Sequence, residues 1–370
     1  MTGRPLTLVF AGGGTGGHLY PALAVADAIR RRMPDAAITF VGAKGRIESR
    51  VVPLRGYPFR AIWISGLRRK LSLETAMFPL QLVVSVWQSY LHLRESDPDA
   101  VVGTGGYVSG PVVWAAQRMG IPTLLQEQNS VPGITTRLLA KRAKEVHLTF
   151  ESSRRHLERQ DNVRISGNPT REGLGKVSRA EGAAFFQLDP TKKTVLVFGG
   201  SQGAATINAA MLGFALTLAA EGVQVIWQTG SGDYHRVREA MMSQEKAVRV
   251  HEFIDRMEMA YAACDLAVCR SGATSLAELT CAGVPAVLVP YAFAAHGHQT
   301  TNARAMVEAG AAVLVPDAEA AHLLSVVVRE LLNEPARVRT MADAARRLGK
   351  PDAAAALADA VLRLAGRGTT

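Results

Sequence analysis

Short apolar runs alternate with longer segments of helical pattern along most of the chain. In the first half, the runs that predict strands are AITFVGA, RAIWISG, DAVVGTGG, PTLLQEQN, EVHLTF and NVRISGNP. In the second half they are VQVIWQTG, VRVHEFI, DLAVCRSG, PAVLVPY and AAVLVP. Such alternation predicts parallel β-α-β units and therefore a fold of the α/β class.

The start of this pattern occurs twice. LTLVFAGGGTGG at Leu6–Gly17 is matched by TVLVFGGSQGAATINAAM at Thr194–Met211, and each joins an apolar run through a glycine turn to a helical stretch. Such a unit begins a doubly wound domain. We therefore expect two Rossmann-like domains with parallel sheets, residues 1–170 and 171–351, with a hinge near Pro169–Gly175 and a site in the cleft between them.

Composition and charge limit the partners. The chain is 48% hydrophobic and carries a formal charge of +10, which suits a phosphate ligand, an acidic membrane surface or nucleic acid. Its three cysteines form no C-x-x-C pair, so we expect a reducing compartment and buried thiols. We expect no signal peptide, and no segment has the ~18 apolar residues of a membrane span.

The opening loop allows three interpretations. Gly12, Gly14 and Gly17 satisfy the dinucleotide pattern G-x-G-x-x-G, but the next strand ends near Lys44 and offers no carboxylate for a ribose. A P-loop is excluded because His18 follows the last glycine. The favoured interpretation is a loop whose backbone N–H groups receive a diphosphate or a polar substrate at a helix start. His18, although a lone histidine is usually structural, is then a candidate general base.

Other motifs extend this site. GTGGYVSG supplies a second glycine turn, and QEQNSVPG presents polar groups after a strand. In CRSGATSLAEL, a helix start follows a strand, and Glu278 lies one to two turns inside the helix. Glu278 reaches a ribose in one interpretation and lies on a solvated helix face in the other. Asp97–Pro98–Asp99 is interpreted as a turn, and no spacing predicts a metal site.

The segment Leu67–Leu93 joins a basic cluster (Arg68, Arg69 and Lys70) to an apolar helical stretch that contains Phe78 and Trp87. By default such a helix packs within its domain. The alternative is an exposed apolar patch with cations around it, which would dock on an anionic bilayer.

An ordered set of motifs resembles the MurG family of bacterial cell-wall glycosyltransferases. The motifs are GGTGGH, SGLR, GTGGYVSGP, EQNSVPG, GNPTR, GGSQGA, CRSGATSLAEL and HQTTNA, and they run from residue 12 to about residue 303. The resemblance implies the GT-B architecture, in which two Rossmann-like domains face each other across a cleft. It also implies a C-terminal helix, at about residues 352–370, that packs back on the first domain.

The resemblance implies a reaction as well. N-acetylglucosamine (GlcNAc) passes from UDP-GlcNAc, with inversion, to the C4 hydroxyl of the N-acetylmuramyl (MurNAc) sugar in undecaprenyl-pyrophosphoryl-MurNAc-pentapeptide (lipid I). The product is lipid II for peptidoglycan synthesis. The implied location is the cytoplasmic face of the membrane, without cofactor or tightly bound metal. The implied partners are both substrates and an anionic membrane surface, with no nucleic acid, and a cell-wall synthesis complex is a further candidate.

The resemblance also carries roles to particular residues. His18 is the implied base, and Gly14, Gly105 and Gly106 lie at the acceptor diphosphate. The implied donor-binding residues are Thr15, Gly16, Gly17, Asn129, Arg171, Ser201, Ile254, Ala273, Thr274, Ser275, Glu278, His298 and Gln299. The chain departs from the family pattern in two places: Gln126 stands where many relatives have histidine, and AFAAHGHQ lacks the usual acidic residue. Two alternatives stay open, a transferase with another acceptor and a UDP-sugar-binding regulator without activity.

Overall fold

Two α/β domains make up the chain, which a computed structural model describes over residues 4–66, 73–200, 203–294 and 297–367. The N-terminal domain consists of Met1–Arg171 together with Asp352–Thr370. The C-terminal domain consists of Glu172–Pro351. The chain therefore leaves the first domain, builds the second and returns.

The N-terminal domain contains a sheet of seven parallel strands in the order β3-β2-β1-β4-β5-β6-β7. The strands are β1 Thr7–Ala11, β2 Ala37–Ala43, β3 Phe59–Ile62, β4 Ala100–Gly103, β5 Thr123–Glu127, β6 Glu145–Leu148 and β7 Val163–Ile165. The helices between them are α1 Gly16–Arg32, α2 Ile47–Leu54, α3 Leu73–Ser96, α4 Gly106–Arg118 and α5 Ile134–Ala140, with a 3-10 helix at Glu151–His156.

The C-terminal domain contains six parallel strands in the order β10-β9-β8-β11-β12-β13. The strands are β8 Thr194–Phe198, β9 Gln224–Gln228, β10 Val248–His251, β11 Leu266–Cys269, β12 Ala286–Leu288 and β13 Ala312–Leu314. The helices are α6 Arg179–Phe185, α7 Ala205–Leu212, α8 Ala215–Ala220, α9 Tyr234–Ala240, α10 Met257–Ala263, α11 Ala273–Ala282, α12 His298–Glu308, α13 Ala320–Asn333 and α14 Pro335–Leu348. Short 3-10 helices lie at Met242–Gln244 and Asp317–Glu319.

Both sheets use the same strand order over their first six strands, which confirms the two Rossmann-like domains predicted from the repeated start. In each domain, the first strand lies between the second strand and the fourth. This is the position at which the winding reverses, and ligands of such sheets bind beyond the strand ends there. In the N-terminal domain the loops at this point follow β1 and β4, and in the C-terminal domain they follow β8 and β11.

Continuous apolar strands give each domain a core on both faces of its sheet. Leu8 and Phe10 of β1 belong to the core under α1, while Val9 and Ala11 belong to the core under α4. All four are almost completely buried. A strand buried on both faces needs no polar alternation, which explains why these runs are uniformly apolar.

The last helix, α15 (Ala353–Leu364), packs on α1 in the N-terminal domain. Leu357 and Val361 are completely buried in the same core cluster as Leu8 and Phe10. The apolar face of α15 supplies part of a core whose first strand, β1, lies more than 300 residues earlier in the chain.

Helix α3 has an inverted pattern of burial. Its inward face carries Gln81, Ser85 and Ser89, with 8%, 0% and 0% exposure. Its outward face carries apolar side chains, among them Leu80 at 55%, Val83 at 67% and Trp87 at 61% exposure. The buried hydroxyls of Ser85 and Ser89 donate to carbonyl oxygens within α3, so their hydrogen-bonding needs are met inside the helix. No helix among the described residues is long and apolar enough to cross a membrane.

Candidate active site

The first glycine loop connects β1 to α1. Thr15 is the N-cap residue of α1, which begins at Gly16, and the first helical turn contains no acidic residue. Thr15 and Gly17 are exposed, and Gly16 is half-buried. Because backbone N–H groups at a helix start bind anions, the three residues predicted to contact the donor lie at an accessible anion-binding position.

The second glycine turn follows β4 and contacts the first loop. Thr104 donates its backbone N–H to Ala11 over 2.9 Å and its hydroxyl to the carbonyl oxygen of His18 over 2.8 Å. Gly106 has a φ of +77°, and a Cβ atom there would clash with the carbonyl oxygen of Gly13. Only glycine fits such a position. The structure therefore brings together the predicted residues of the acceptor side, namely Gly14, Gly105, Gly106 and His18.

The imidazole of His18 is half-buried against this second turn. Its Nδ1 atom lies 2.8 Å from Oε1 of Gln128 and 3.2 Å from the carbonyl oxygen of Thr104. Gln128, which is 2% exposed, was not among the predicted site residues, although it lies within the EQN motif. The ring is therefore held at one nitrogen, while its Nε2 makes no hydrogen bond to any residue in the described parts of the chain.

A buried carboxylate supports the first glycine loop from behind. The sequence offers no carboxylate directly after β2, but Glu48 from α2 reaches this point and is 1% exposed. One oxygen accepts the backbone N–H of Gly14 and the other that of Ala43, both over 3.0 Å. Since both oxygens bind the protein's own backbone, Glu48 shapes the loop and is not a ribose ligand. Glu48 therefore gives no support to a nicotinamide-cofactor site.

The loop after β5 is fixed by its own acidic residue. Glu127, 3% exposed, accepts the backbone N–H groups of Asn129 and Gly133 over 3.1 Å each. The hydroxyl of Ser153 donates to the carbonyl oxygen of Asn129 over 2.8 Å. Asn129 is consequently half-buried in a rigid loop beside the second glycine turn, where Gln128 contacts Thr104.

The C-terminal domain has its own glycine loop between β8 and α7. Gly203 has a φ of +77°, and a Cβ atom there would clash with the carbonyl oxygen of Thr229. The backbone of this loop at Gly203 therefore packs directly against the carbonyl group of Thr229, just after β9. Ser201, predicted to contact the donor, lies in this loop but outside the described residues.

Gln228, at the end of β9, links two loops at this edge of the sheet. Its amide nitrogen donates to the carbonyl oxygen of Gly200 over 2.9 Å, and its amide oxygen accepts the N–H of Ile254 over 2.8 Å. Gln228 and Ile254 are both 3% exposed. The bridge places the predicted nucleotide-binding residue Ile254 beside the glycine loop, and the sequence analysis had not predicted Gln228.

The start of α11 lies at the other side of the switch point. Gly272 is the N-cap residue, and the predicted phosphate-binding residues Ala273, Thr274 and Ser275 form the first turn, which contains no acidic residue. Thr274 and Ser275 are half-buried. This is a second helix start whose N–H groups and dipole favour an anion.

Glu278 lies one turn further along α11 and is buried, with 6% exposure. The alternative that placed it on a solvated helix face is therefore wrong. One carboxylate oxygen accepts the hydroxyl of Tyr261 over 3.0 Å, and the Tyr261 ring packs edge-on against Phe198 at the end of β8. This contact orients the carboxylate, and no sequence pattern had linked Tyr261 to Glu278.

Helix α12 begins at His298, and Gln299 joins it to neighbouring loops. The Gln299 side-chain oxygen accepts the N–H of Tyr291 over 2.9 Å, and its carbonyl oxygen accepts the hydroxyl of Ser271 over 2.8 Å. The starts of α11 and α12 are thereby tied together. His298 and Gln299, predicted to contact the donor sugar, are half-buried on the same side as the first turn of α11.

The remaining predicted residues lie on other parts of the N-terminal domain or outside the described residues. Arg171 is the last residue of the N-terminal domain and is half-buried. The basic cluster of Arg68, Arg69 and Lys70 lies outside the described residues. Phe78 is half-buried on α3, and Trp87 belongs to its exposed face.

Other polar groups have structural partners. Asp97 and Asp99 both pair with Arg4 at the edge of the sheet, and Asp99 also accepts the N–H of Thr7 over 2.8 Å. Burial raises the pKa of the Cys264 and Cys269 thiols. Among the residues that the structure describes, no group of three or more histidine, cysteine or acidic side chains has a metal-binding arrangement.

Two family models match this chain. The glycosyltransferase family 28 N-terminal domain matches residues 8–148, and the glycosyltransferase family 28 C-terminal domain matches residues 194–357. Together with glycine loops at both switch points, these matches define the class of the protein as a glycosyltransferase. The enzyme class predicted from the sequence is confirmed.

Relatives with curated names are similar over nearly their full length. A UDP-N-acetylglucosamine–N-acetylmuramyl-(pentapeptide) pyrophosphoryl-undecaprenol N-acetylglucosamine transferase of Chlorobaculum tepidum is 45% identical, covering 97% of this chain and 99% of the relative. The protein of the same name from Salinibacter ruber is 43% identical, covering 99% of each. The crystal structure of Acinetobacter baumannii MurG superposes with a TM-score of 0.74 at 26% identity, covering 97% of this chain and 100% of that one. The chain belongs to the MurG family, and the predicted GT-B fold class is confirmed.

Proposed function

We propose that this chain transfers GlcNAc from UDP-GlcNAc to the C4 hydroxyl of the MurNAc sugar in lipid I, with inversion, and so forms lipid II. The observation that carries the proposal is the 45% identity, over 97% of the chain, to a relative named for this transfer. The two glycine-loop sites support it, since both substrates contain a diphosphate.

The donor belongs, in this proposal, to the C-terminal domain. The N–H groups and hydroxyls at the start of α11, from Ala273 to Ser275, receive the UDP diphosphate. Glu278 accepts the ribose hydroxyls, and the Tyr261 hydroxyl keeps its carboxylate in place. Ser201 of the glycine loop is assigned to the same ligand because it lies in the GGSQGA motif.

The base and the sugar contact neighbouring loops. The N–H of Ile254 is used by Gln228, so the uracil is recognised at the Ile254 carbonyl oxygen, which suits the imide N–H of the base. His298 and Gln299, at the start of α12, contact the GlcNAc hydroxyls. The Gln299 oxygen already accepts a backbone N–H, which leaves its NH2 group as the donor toward the sugar.

The acceptor belongs to the N-terminal domain. Gly14, Gly105 and Gly106 admit the lipid diphosphate close to the backbone, and His18 takes the proton of the attacking hydroxyl. Thr15, Gly16, Gly17 and Asn129 complete the contacts with the donor, and Arg171 stabilises the charge that develops on the departing diphosphate.

The transfer is tested with purified chain, radiolabelled UDP-GlcNAc and lipid I in detergent micelles. We expect a disaccharide-linked lipid, and a His18→Gln variant whose kcat falls by about 10²–10⁴-fold while the Kd for UDP-GlcNAc stays within twofold. His322→Gln, the same change at an exposed histidine of α13 outside both glycine-loop sites, serves as the control. Donor turnover with a different lipid or a small acceptor would favour the alternative transferase, and absence of turnover with active substrates would refute the enzyme proposal.

Membrane attachment is a second part of the proposal. The apolar face of α3, including Leu80, Val83 and Trp87, is exposed. Contiguous exposed apolar patches mark interaction sites, which supports a role for this face in membrane binding. The basic cluster Arg68–Lys70 precedes this helix in sequence and suits anionic headgroups. We assign the face to the cytoplasmic leaflet that carries lipid I.

Vesicle sedimentation tests this assignment. Phosphatidylglycerol vesicles are expected to retain the wild type and to release a Val83→Ser, Trp87→Ser double variant, with weaker binding at high salt. Leu216→Ser, which changes an apolar residue with 43% exposure in the C-terminal domain, is the matched control. Equal binding of both variants would assign the α3 face to another partner, for which a cell-wall synthesis complex is the next candidate.

A further inference from the structure

We propose that Gln128 is a positioning residue that selects the tautomer of His18, keeping a proton on Nδ1 so that the lone pair lies on Nε2. The inference rests on the proposed role of His18 as the acceptor of the hydroxyl proton. It adds a residue that the sequence motifs and the family comparison leave without a role.

The orientation of the Gln128 amide is fixed by a backbone carbonyl. One terminal atom of the side chain lies 2.7 Å from the carbonyl oxygen of Thr104. A carbonyl oxygen only accepts hydrogen bonds, so that terminal atom must be the amide nitrogen. Turning the amide by 180° would place two oxygens against each other. The other terminal atom, the amide oxygen, consequently faces His18.

The neighbours of His18 Nδ1 then determine its protonation. Its two hydrogen-bond partners are the amide oxygen of Gln128, at 2.8 Å, and the carbonyl oxygen of Thr104, at 3.2 Å. Both are acceptors, so in a neutral imidazole the hydrogen must lie on Nδ1. Nε2 then holds the lone pair, and it has no protein partner within the described ranges. A tautomer with the hydrogen on Nε2 would put three acceptors together at Nδ1.

The arrangement continues through a row of buried amides. The Gln128 nitrogen also donates to the side-chain oxygen of Gln126, and the Gln126 nitrogen donates to the side-chain oxygen of Asn168 over 3.2 Å. These three residues are only 1–2% exposed. Along this row, the oxygen of each member accepts from the side nearer His18, and Gln128 and Gln126 each donate to the next member. Such a desolvated row, in which the bonds polarise one another, resists reversal of any single member.

The same row defines what position 126 must supply. The position needs an acceptor toward Gln128 and a donor toward Asn168. A neutral histidine also supplies one of each, so a histidine at this position would keep the direction of the row.

NMR measures the tautomer of His18 directly. Protein labelled with 15N-histidine is examined by long-range 1H–15N NMR at pH 8.5, where imidazoles are neutral, and the His18 signals are assigned with the His18→Gln variant. We expect protonated Nδ1 and unprotonated Nε2 in the wild type. Gln128→Met, which keeps the side-chain length and removes both polar atoms, should give a mixture of tautomers and lower kcat at least tenfold. The KM for UDP-GlcNAc should stay within twofold.

A further variant separates positioning from folding. Gln117→Met removes a half-buried amide that donates to Thr123 and Leu139 in the same domain, and it should change neither tautomer nor kcat. The NMR result needs no acceptor substrate, so it is independent of whether lipid I is the acceptor. Protonated Nε2 in the wild type, or an unchanged tautomer in Gln128→Met, would overturn the proposal.

Discussion

Replacing Glu48 by glutamine tests whether its carboxylate holds the first glycine loop in shape. Each oxygen of Glu48 accepts one buried backbone N–H, from Gly14 and from Ala43, over 3.0 Å. The amide of glutamine keeps one acceptor and turns an NH2 group toward the other N–H. One buried donor is then unpaired and faces a second donor. Leaving a buried polar group unpaired costs about 1–3 kcal/mol.

The free energy of unfolding of the N-terminal domain should fall by this amount. For a domain of this size, ~1 kcal/mol corresponds to about 2–4 °C in Tm, so calorimetry should show the transition of the N-terminal domain at a temperature lower by roughly 2–12 °C. Hydrogen exchange at the Gly14 or Ala43 amide should accelerate by about tenfold for each 1.4 kcal/mol lost. The Kd for UDP-GlcNAc at the C-terminal domain should be less affected than the KM for the lipid acceptor.

Glu95→Gln is the matched control because Glu95 is an exposed carboxylate of the same domain. Its partner is Arg60, over 3.0 Å, and its side chain is 65% exposed. Surface pairs of this kind contribute about 0–1 kcal/mol. If Glu48→Gln and Glu95→Gln had the same stability and the same amide exchange, Glu48 would not support the loop.

Three further predictions concern other sites. Burial lowers the pKa of His147 below its ordinary value of 6.5, so the unfolded chain protonates His147 at a higher pH than the folded chain does. The free energy of unfolding should therefore fall as the pH drops below 6.5. Urea unfolding should show a smaller fall between pH 7.5 and 5.5 in His147→Gln than in the wild type. In the native protein, Ellman's reagent should react rapidly with one thiol, that of the half-buried Cys281, because burial raises the pKa of the Cys264 and Cys269 thiols. After unfolding, all three thiols should react. Rapid reaction of three thiols in the native protein would contradict this prediction. Tyr261→Phe, which removes a 3.0 Å hydrogen bond to Glu278, should raise the KM for UDP-GlcNAc about three- to tenfold with little change in kcat, and an unchanged KM would separate Glu278 from donor binding.

The fold was largely predictable because its signals are local. A strand buried on both faces is uniformly apolar, and a glycine turn before a helix marks a switch point wherever it occurs. Both features are visible in short windows, as at Leu6–Gly17 and Thr194–Met211. The repeated start therefore predicted two doubly wound domains, and the structure shows that they share a strand order.

The contacts within the sites were less predictable because they join distant segments. Glu48 lies in the segment IESRVV, whose sequence is typical of an exposed helix start. The carboxylate lies under the first glycine loop because α2 packs close to the end of β1. Tyr261 and Glu278 lie 17 residues apart on two helices. The direction of the Gln128 amide depends on the Thr104 carbonyl, 24 residues earlier, and no sequence pattern specifies the direction of a side-chain amide.

The position of α15 has a consequence for biosynthesis. The C-terminal domain, Glu172–Pro351, is one continuous stretch and has all its residues before α15 is made. The N-terminal domain starts first, yet Leu357 and Val361 fill part of its core, so during translation its apolar surface at α1 stays uncovered until α15 has been made. Domains fold in general as they emerge from the ribosome. In this chain, the domain that emerges first reaches its final core last, and a stalled or truncated product would expose that surface to chaperones and proteases.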